Sequence, residues 1–143
     1  MSSTLSAAVT ASASALAAER TRIEVAVSNM ANAESTRGPD GQPYRRRDVV
    51  LAADRSASFD AALGRAGAVG VSVAAVVEDQ APYRRRYEPS HPDADAEGFV
   101  ALPNVEPQNE MVDLIGASRA YQANLTAISM IRDLVARALE LGR

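Results

Sequence analysis

Residues 108–141 read QNEMVDLIGASRAYQANLTAISMIRDLVARALEL, a run with no Pro and a single Gly, Gly116. Wound at about 100° per residue, Leu114, Tyr121, Leu125, Ile128, Val135 and Leu139 fall on one large apolar stripe. Gly116, Ala120, Ala123, Ala127 and Ala138 form a second stripe of small residues on the far side. Arg119, Gln122, Thr126, Asp133 and Arg137 fill a polar sector between them, and Arg132 is the misfit on the large stripe. Asn104 or Asn109 is the expected N-cap, and Pro107 is compatible only with the first turn. Gly142 suits the position after the last turn.

Residues 4–33 repeat the design, without Gly or Pro. Leu5, Val9, Leu16, Ile23, Val27 and Met30 share a large stripe, and Ala7, Ala11, Ser14, Ala18 and Val25 lie nearly opposite. The helix should fray at Asn29-Met30-Ala31-Asn32, because Asn tolerates the left-handed conformation of a C-cap. Paired Asn side chains there can also satisfy helix-end backbone groups. A helix on the surface of a monomer needs only one apolar stripe. The large stripes can zip the two helices into an antiparallel coiled-coil hairpin of roughly 45 Å, at 1.5 Å per residue. Two helices cannot bury four stripes, so the small stripes predict helices from other subunits.

Residues 37 to about 107 contain all seven Pro and most of the Gly. Four short segments have strand character: 48–51, 70–77, 83–87 and 98–102. Residues 38–43, GPDGQP, read as a turn, and residues 56–66 as a short helix or a flexible loop. With two Phe in the whole chain, this middle has a thin core and should lean on neighbours. The expected fold is mainly α with a small β-rich insert, completed by packing in an assembly. Residues 1–36 and 107–143 form a discontinuous helical domain, and residues 37–106 a β-rich or irregular one.

The chain has 143 residues, enough for one domain, and roughly a fifth of them are Ala. It lacks Cys, so a disulfide framework, thiolate catalysis and Cys-ligated zinc are excluded. One His makes a His-based relay or a multi-His metal site a poor expectation. Net charge is −3, and every basic residue is Arg. No apolar run approaches the ~20 residues of a membrane span, and Met1-Ser2-Ser3-Thr4-Leu5 lacks the pattern of a cleavable leader.

Two Arg triplets, Arg45-Arg46-Arg47 after Tyr44 and Arg84-Arg85-Arg86 between Tyr83 and Tyr87, invite a nucleic-acid reading with Tyr rings for stacking. The acidic balance, with Asp93, Asp95, Glu97, Glu106 and Glu110 nearby in sequence, favours salt bridges instead. His91, Asp93 and Asp95 sit in PSHPDAD, where a proline-framed turn is expected ahead of a metal loop or a small hydrolase site. Phosphate-binding, dinucleotide and nucleophile-elbow patterns are absent. No catalytic residue, cofactor or metal is assigned.

Residues 16–23, LAAERTRI, with 28–33, SNMANA, resemble the N-terminal signature of the rod and hook family of bacterial flagellar axial proteins. Residues 104–106, NVE, 110–115, EMVDLI, and 117–124, ASRAYQAN, resemble the C-terminal signature. Residues 32–45 and 91–105, together with the short length, are similar to the proximal-rod members of that family. The resemblance implies a non-enzymatic structural subunit that stacks helically around a hollow channel and transmits torque. Its terminal helices would form the inner layer and its middle the outer domain. It implies contacts with copies of itself and other rod proteins, the inner-membrane ring or export-gate side proximally and the distal rod side distally. It further implies export by the flagellar type III apparatus to the periplasmic rod without a cleaved leader, no nucleic acid and no membrane insertion. By position, Asn29, Ala31, Asn32 and Ala33 would shape the first helix's junction with the outer domain. Glu110, Met111, Arg119, Tyr121, Ala123 and Asn124 would pack and register helices, beside the stripe residues Leu16, Ile23, Met30, Leu114, Leu125, Ile128, Val135 and Leu139. Another short rod subunit of the same family is the alternative, with an Arg-triplet nucleic-acid module well behind it.

Overall fold

A computed structural model describes residues 2–54 and 69–141. Helix α1 runs Ser2–Ala31 and helix α2 runs Pro107–Leu141. Between them lie β1 (Arg47–Ala53), β2 (Val71–Glu78), β3 (Arg84–Tyr87) and β4 (Phe99–Leu102). The strands form two separate two-stranded antiparallel sheets, β1–β2 and β3–β4. All four segments predicted to be strands are strands. The expected helix or loop at 56–66 and the expected helix stop at Gly142 lie outside the described residues.

Each junction has a local cause. The turn over 38–43 closes with the Gly38 N–H donating to the Gln42 carbonyl at 2.7 Å, and Gly41 takes a φ of 79° that favours Gly. Pro107 is the first residue of α2, where its missing N–H is no loss. The N-cap expectation needs correction. The N-cap position falls on Glu106, whose carbonyl accepts the Asn109 and Glu110 N–H groups. Asn109 instead lies inside the first turn and donates to the Glu106 side chain at 2.8 Å, while Asn104 is drawn off to the segment entering β1.

The chain divides into two compact units. One gathers the described residues of Met1–Thr21, Val50–Ala75 and Gly116–Arg143. The other comprises Arg22–Val49 and Val76–Ile115.

In the second unit, β3 and β4 pair Arg84 with Leu102 and Tyr87 with Phe99. Val100 and Leu102 turn inward and, with Pro103 and Val105, make a buried core. This part was expected to lean on neighbours, yet it holds the largest buried apolar side chains among the described residues. On the other face of β4, Phe99 meets Tyr87 edge-on at 5.3 Å, and the Arg85 guanidinium lies 4.6 Å over its ring.

The loop before β4 is organised by Asp95. Its Oδ1 accepts the Phe99 N–H at 2.8 Å and the Glu97 N–H at 3.0 Å, and Arg85 reaches Oδ2 at 2.8 Å. The Phe99 N–H is the largest influence holding the Asp95 carboxyl below the ordinary carboxylate range; partial desolvation opposes it, and Arg85 and the Glu97 N–H add to it. A lowered folded value stabilises the loop at every pH above the unfolded value of about 3.9. That contribution fades as pH falls through the folded value. NMR titration of the Asp95 carboxyl carbon should give a midpoint below 3.9, roughly the model-peptide value; a midpoint at or above it would contradict this account.

In the first unit, the small face of α1 meets the chain's own sheet around Ser14 and Ala18. Ala18 is buried, and on the same face Ser14 Oγ accepts the Val71 N–H of β2 at 3.0 Å. Gly70 lies so close that an added Cβ would sit 3.1 Å from Ser14 Oγ. At Ser14 and Ala18 the small stripe of α1 thus meets the chain's own sheet, where another subunit was expected. A short side chain there lets the chain's own β-hairpin approach the helix. Leu5 and Val9, from the large stripe, line an open apolar groove of about 360 Å³ with Ile131, Val135 and Leu139 of α2. The small stripe of α2 does lie open at Gly116, Ala123 and Ala138.

Candidate functional site

Within the second unit, the last turns of α1, the segment entering β1 and the first turn of α2 meet at a buried polar cluster. Its centre is Asn29, and its acid is Glu110, each 1% exposed. Asn29 Nδ2 donates to Glu110 Oε2 and to the Arg47 carbonyl, both at 2.8 Å. Asn29 Oδ1 accepts the Arg47 N–H and the Tyr44 hydroxyl, both at 3.0 Å. One carboxamide thus uses both donors and both acceptor sites.

Arg46 closes the other side of Glu110. Its Nε donates to Glu110 Oε1 at 2.6 Å, while its terminal nitrogens reach Asp113 and Asp48 at 3.5 Å. Burial works against the Arg46 charge, but the hydrogen bond and charge of Glu110, with Asp48 and Asp113, hold its pKa above the ordinary value. Asn104 completes the cluster: Oδ1 accepts the Arg46 N–H at 2.9 Å and Nδ2 donates to the Asp79 carbonyl at 3.3 Å. The Asp79 N–H in turn donates to the Arg46 carbonyl at 2.8 Å. Among the described residues, no buried side-chain nitrogen or oxygen is left without a partner. Glu110 also sits where the helix dipole favours an anion, the first turn of α2.

A cleft of about 160 Å³ opens beside the cluster, lined by Arg22, Arg46, Arg47, Asp48 and Asp113 among others. Charges of both signs face it, and no group of three or more His, Asp or Glu residues among the described residues is placed to hold a metal. The chemistry is that of a structural junction, in which Arg46 is paired with Glu110, Asp48 and Asp113.

The comparisons with known proteins identify the junction's setting. Residues 96–141 match the family described as flagellar basal body rod FlgEFG protein, C-terminal. The chain is 48% identical over 130 residues to the flagellar basal-body rod protein FlgC of Salmonella typhimurium, covering 91% of this chain and 92% of that one. The chain belongs to the FlgC family of flagellar basal-body rod proteins. It is 43% identical to the FlgC protein of Bacillus subtilis, covering 92% of this chain and 94% of the relative. With that of Borreliella burgdorferi it shares 36% identity, covering 96% and 97%.

In this FlgC-family chain, the motif residues divide by what they touch. Asn29 and Glu110 are brought together, although 81 positions apart. Asn32 Nδ2 donates to the Ser28 carbonyl at 2.8 Å, satisfying a helix-end acceptor. Asn29 does not cap its helix but bridges to the segment entering β1 and to α2. Ala33 is buried and Ala31 exposed. In α2, Asn124 donates to the Ala120 carbonyl one turn back at 2.9 Å. Tyr121 is half-buried, and Met111, Arg119 and Ala123 are exposed. Leu16, Ile23, Met30, Leu114 and Ile128 are half-buried, while Leu125, Val135 and Leu139 are exposed, Leu139 at 69%.

The Arg triplets are largely engaged by acids and rings. Arg85 bonds Asp95 and Glu97, and Arg86 bonds Glu34 and Glu88. Arg45 lies over the Tyr83 ring, and Arg47 over Tyr44 with Glu78 at 3.6 Å. The proline-framed loop of this chain is a turn in which His91 Nδ1 accepts the Asp93 N–H, and Asp93 accepts Thr36 and pairs with Arg37. Sequence reasoning missed that one triplet Arg is drawn into a buried pair. The available signal was Glu110, a carboxylate in the first helical turn just ahead of Met111 and Val112.

Proposed function

We propose that this chain is a structural subunit of the proximal rod of the flagellar basal body. The observation that carries the reading is the similarity to FlgC proteins over nine-tenths of the chain, at up to 48% identity among those compared. The subunit polymerises helically around a central channel and transmits torque by packing alone, without catalysis. Residues 1–36 and 107–143 act as the inner helical layer, with α1 and α2 antiparallel as a coiled-coil hairpin, and residues 37–106 form the outer domain. Two features support this arrangement: the junction joining the end of α1 to the start of α2, and the groove that Leu5 and Val9 line with Ile131, Val135 and Leu139. Its neighbours are copies of itself and other rod proteins, with the inner-membrane ring on the proximal side and the distal rod beyond. It reaches the periplasm through the flagellar type III export apparatus.

Among the described residues, no helix is long and apolar enough to cross a membrane. Exposed apolar side chains instead run along α2, including Val112, Ile115, Met130 and Leu134. An unpartnered apolar face of this extent suits a surface buried on assembly.

Deleting the gene should abolish swimming and leave basal bodies without a completed rod, and restoring it in trans should recover both. Motile cells with intact rods after deletion would overturn the assignment.

A further inference from the structure

We propose that Asn29 and Asn104 form a register key that fixes which of three consecutive arginines meets the buried Glu110 carboxylate. The strand that follows the triplet cannot fix it. Val49-Val50-Leu51-Ala52-Ala53 is apolar at every position, and Val50 and Leu51 are both exposed, so neither face of β1 is marked as the inner one. Strand register is weakly specified under those conditions. A slip of one residue along Arg45-Arg46-Arg47 would present another guanidinium to Glu110 with unchanged chemistry.

The backbone contacts remove this degeneracy. Asn29 grips both the N–H and the carbonyl of Arg47. Asn104 takes the Arg46 N–H, and the Asp79 N–H takes the Arg46 carbonyl. These four bonds address positions 46 and 47 of the main chain and are indifferent to the side chains there. Asn29 also holds Glu110 itself, so one carboxamide sets the acid and the main chain at a fixed spacing. With the main chain held, Arg46 alone reaches the acid, and its two neighbours settle over Tyr83 and Tyr44.

The test uses the full chain, labelled with nitrogen-15, and reads hydrogen exchange at arginine Nε–H by NMR. The Arg46 Nε–H should be strongly protected. In Arg46→Gln that signal should vanish with no other arginine taking its place, and the folded-to-unfolded ratio should fall at least about a hundredfold, as for a broken buried pair. In the double variant Asn104→Ala, Arg46→Gln, a newly protected Nε–H from Arg45 or Arg47 should appear, and the two losses should combine to less than their product. A replacement signal in Arg46→Gln alone, or losses that multiply fully, would overturn the key. Should Arg46→Gln fail to fold, Arg46→Lys retains the charge. With both asparagines intact, neither Arg45 nor Arg47 should gain protection in it, and a gain by either sinks the proposal. The readout needs no polymer, so its failure would leave the rod assignment standing.

Discussion

Replacing Asn29 with Ala should destabilise the protein by about 3 kcal/mol or more, measured by denaturant titration. The substitution removes four hydrogen bonds at once, to Glu110, the Arg47 N–H and carbonyl, and Tyr44. A buried group left without its partner loses roughly 1–3 kcal/mol, and more where it is charged. Water can recover some of that, because Tyr44 and Arg47 are partly open. It reaches Glu110 poorly, since that residue is as buried as Asn29. Asn29→Asp should be worse than Ala, for it sets a carboxylate against the Glu110 carboxylate and removes both donors. A loss under 1 kcal/mol for Asn29→Ala, well short of the roughly 1–3 kcal/mol per orphaned group, would show that the cluster does not hold the junction.

Ala123→Leu should abolish swimming while leaving the monomer intact. Ala123 lies on the open small face of α2, near Gly116, where an added Cβ would meet nothing within 4 Å. Surface changes of this kind usually move stability by about 0.5 kcal/mol or less, so the melting temperature should hardly change. In a polymer the same position would lie against a neighbouring helix, where a small residue permits close approach and a Leu side chain would overfill the contact. Soft-agar swimming and electron microscopy of basal bodies would read the effect. Normal swimming through normal rods would remove the small-face argument for α2.

The helices and strands were legible because their causes are local. Scarcity of Gly and Pro marked the two helices, and GPDGQP, Pro107 and the asparagines after Ser28 marked their stops and turns. The covering of Ala18 was not legible, because period alone cannot say whether a small face awaits another subunit or the same chain's hairpin. The roles of Asn29 and Asn104 were hidden for a related reason. An Asn near a helix end suits a cap, and only tertiary contact reveals that it binds another segment instead. Arg46 looks like Arg45 and Arg47 in sequence; its distinction comes from main-chain contacts that no side-chain pattern records.

The junction has a temporal consequence. Glu110 lies 64 positions after Arg46 and 81 after Asn29. Loops of that length must close before either bond can form, and the entropy of closure precedes the reward. A growing chain that has passed Arg46 carries Asn29 and three arginines without their acid until the start of α2 arrives. Helix α1 can wind by itself in that interval, but its far end stays untied. The start of α2 therefore decides when the far end of α1 becomes fixed.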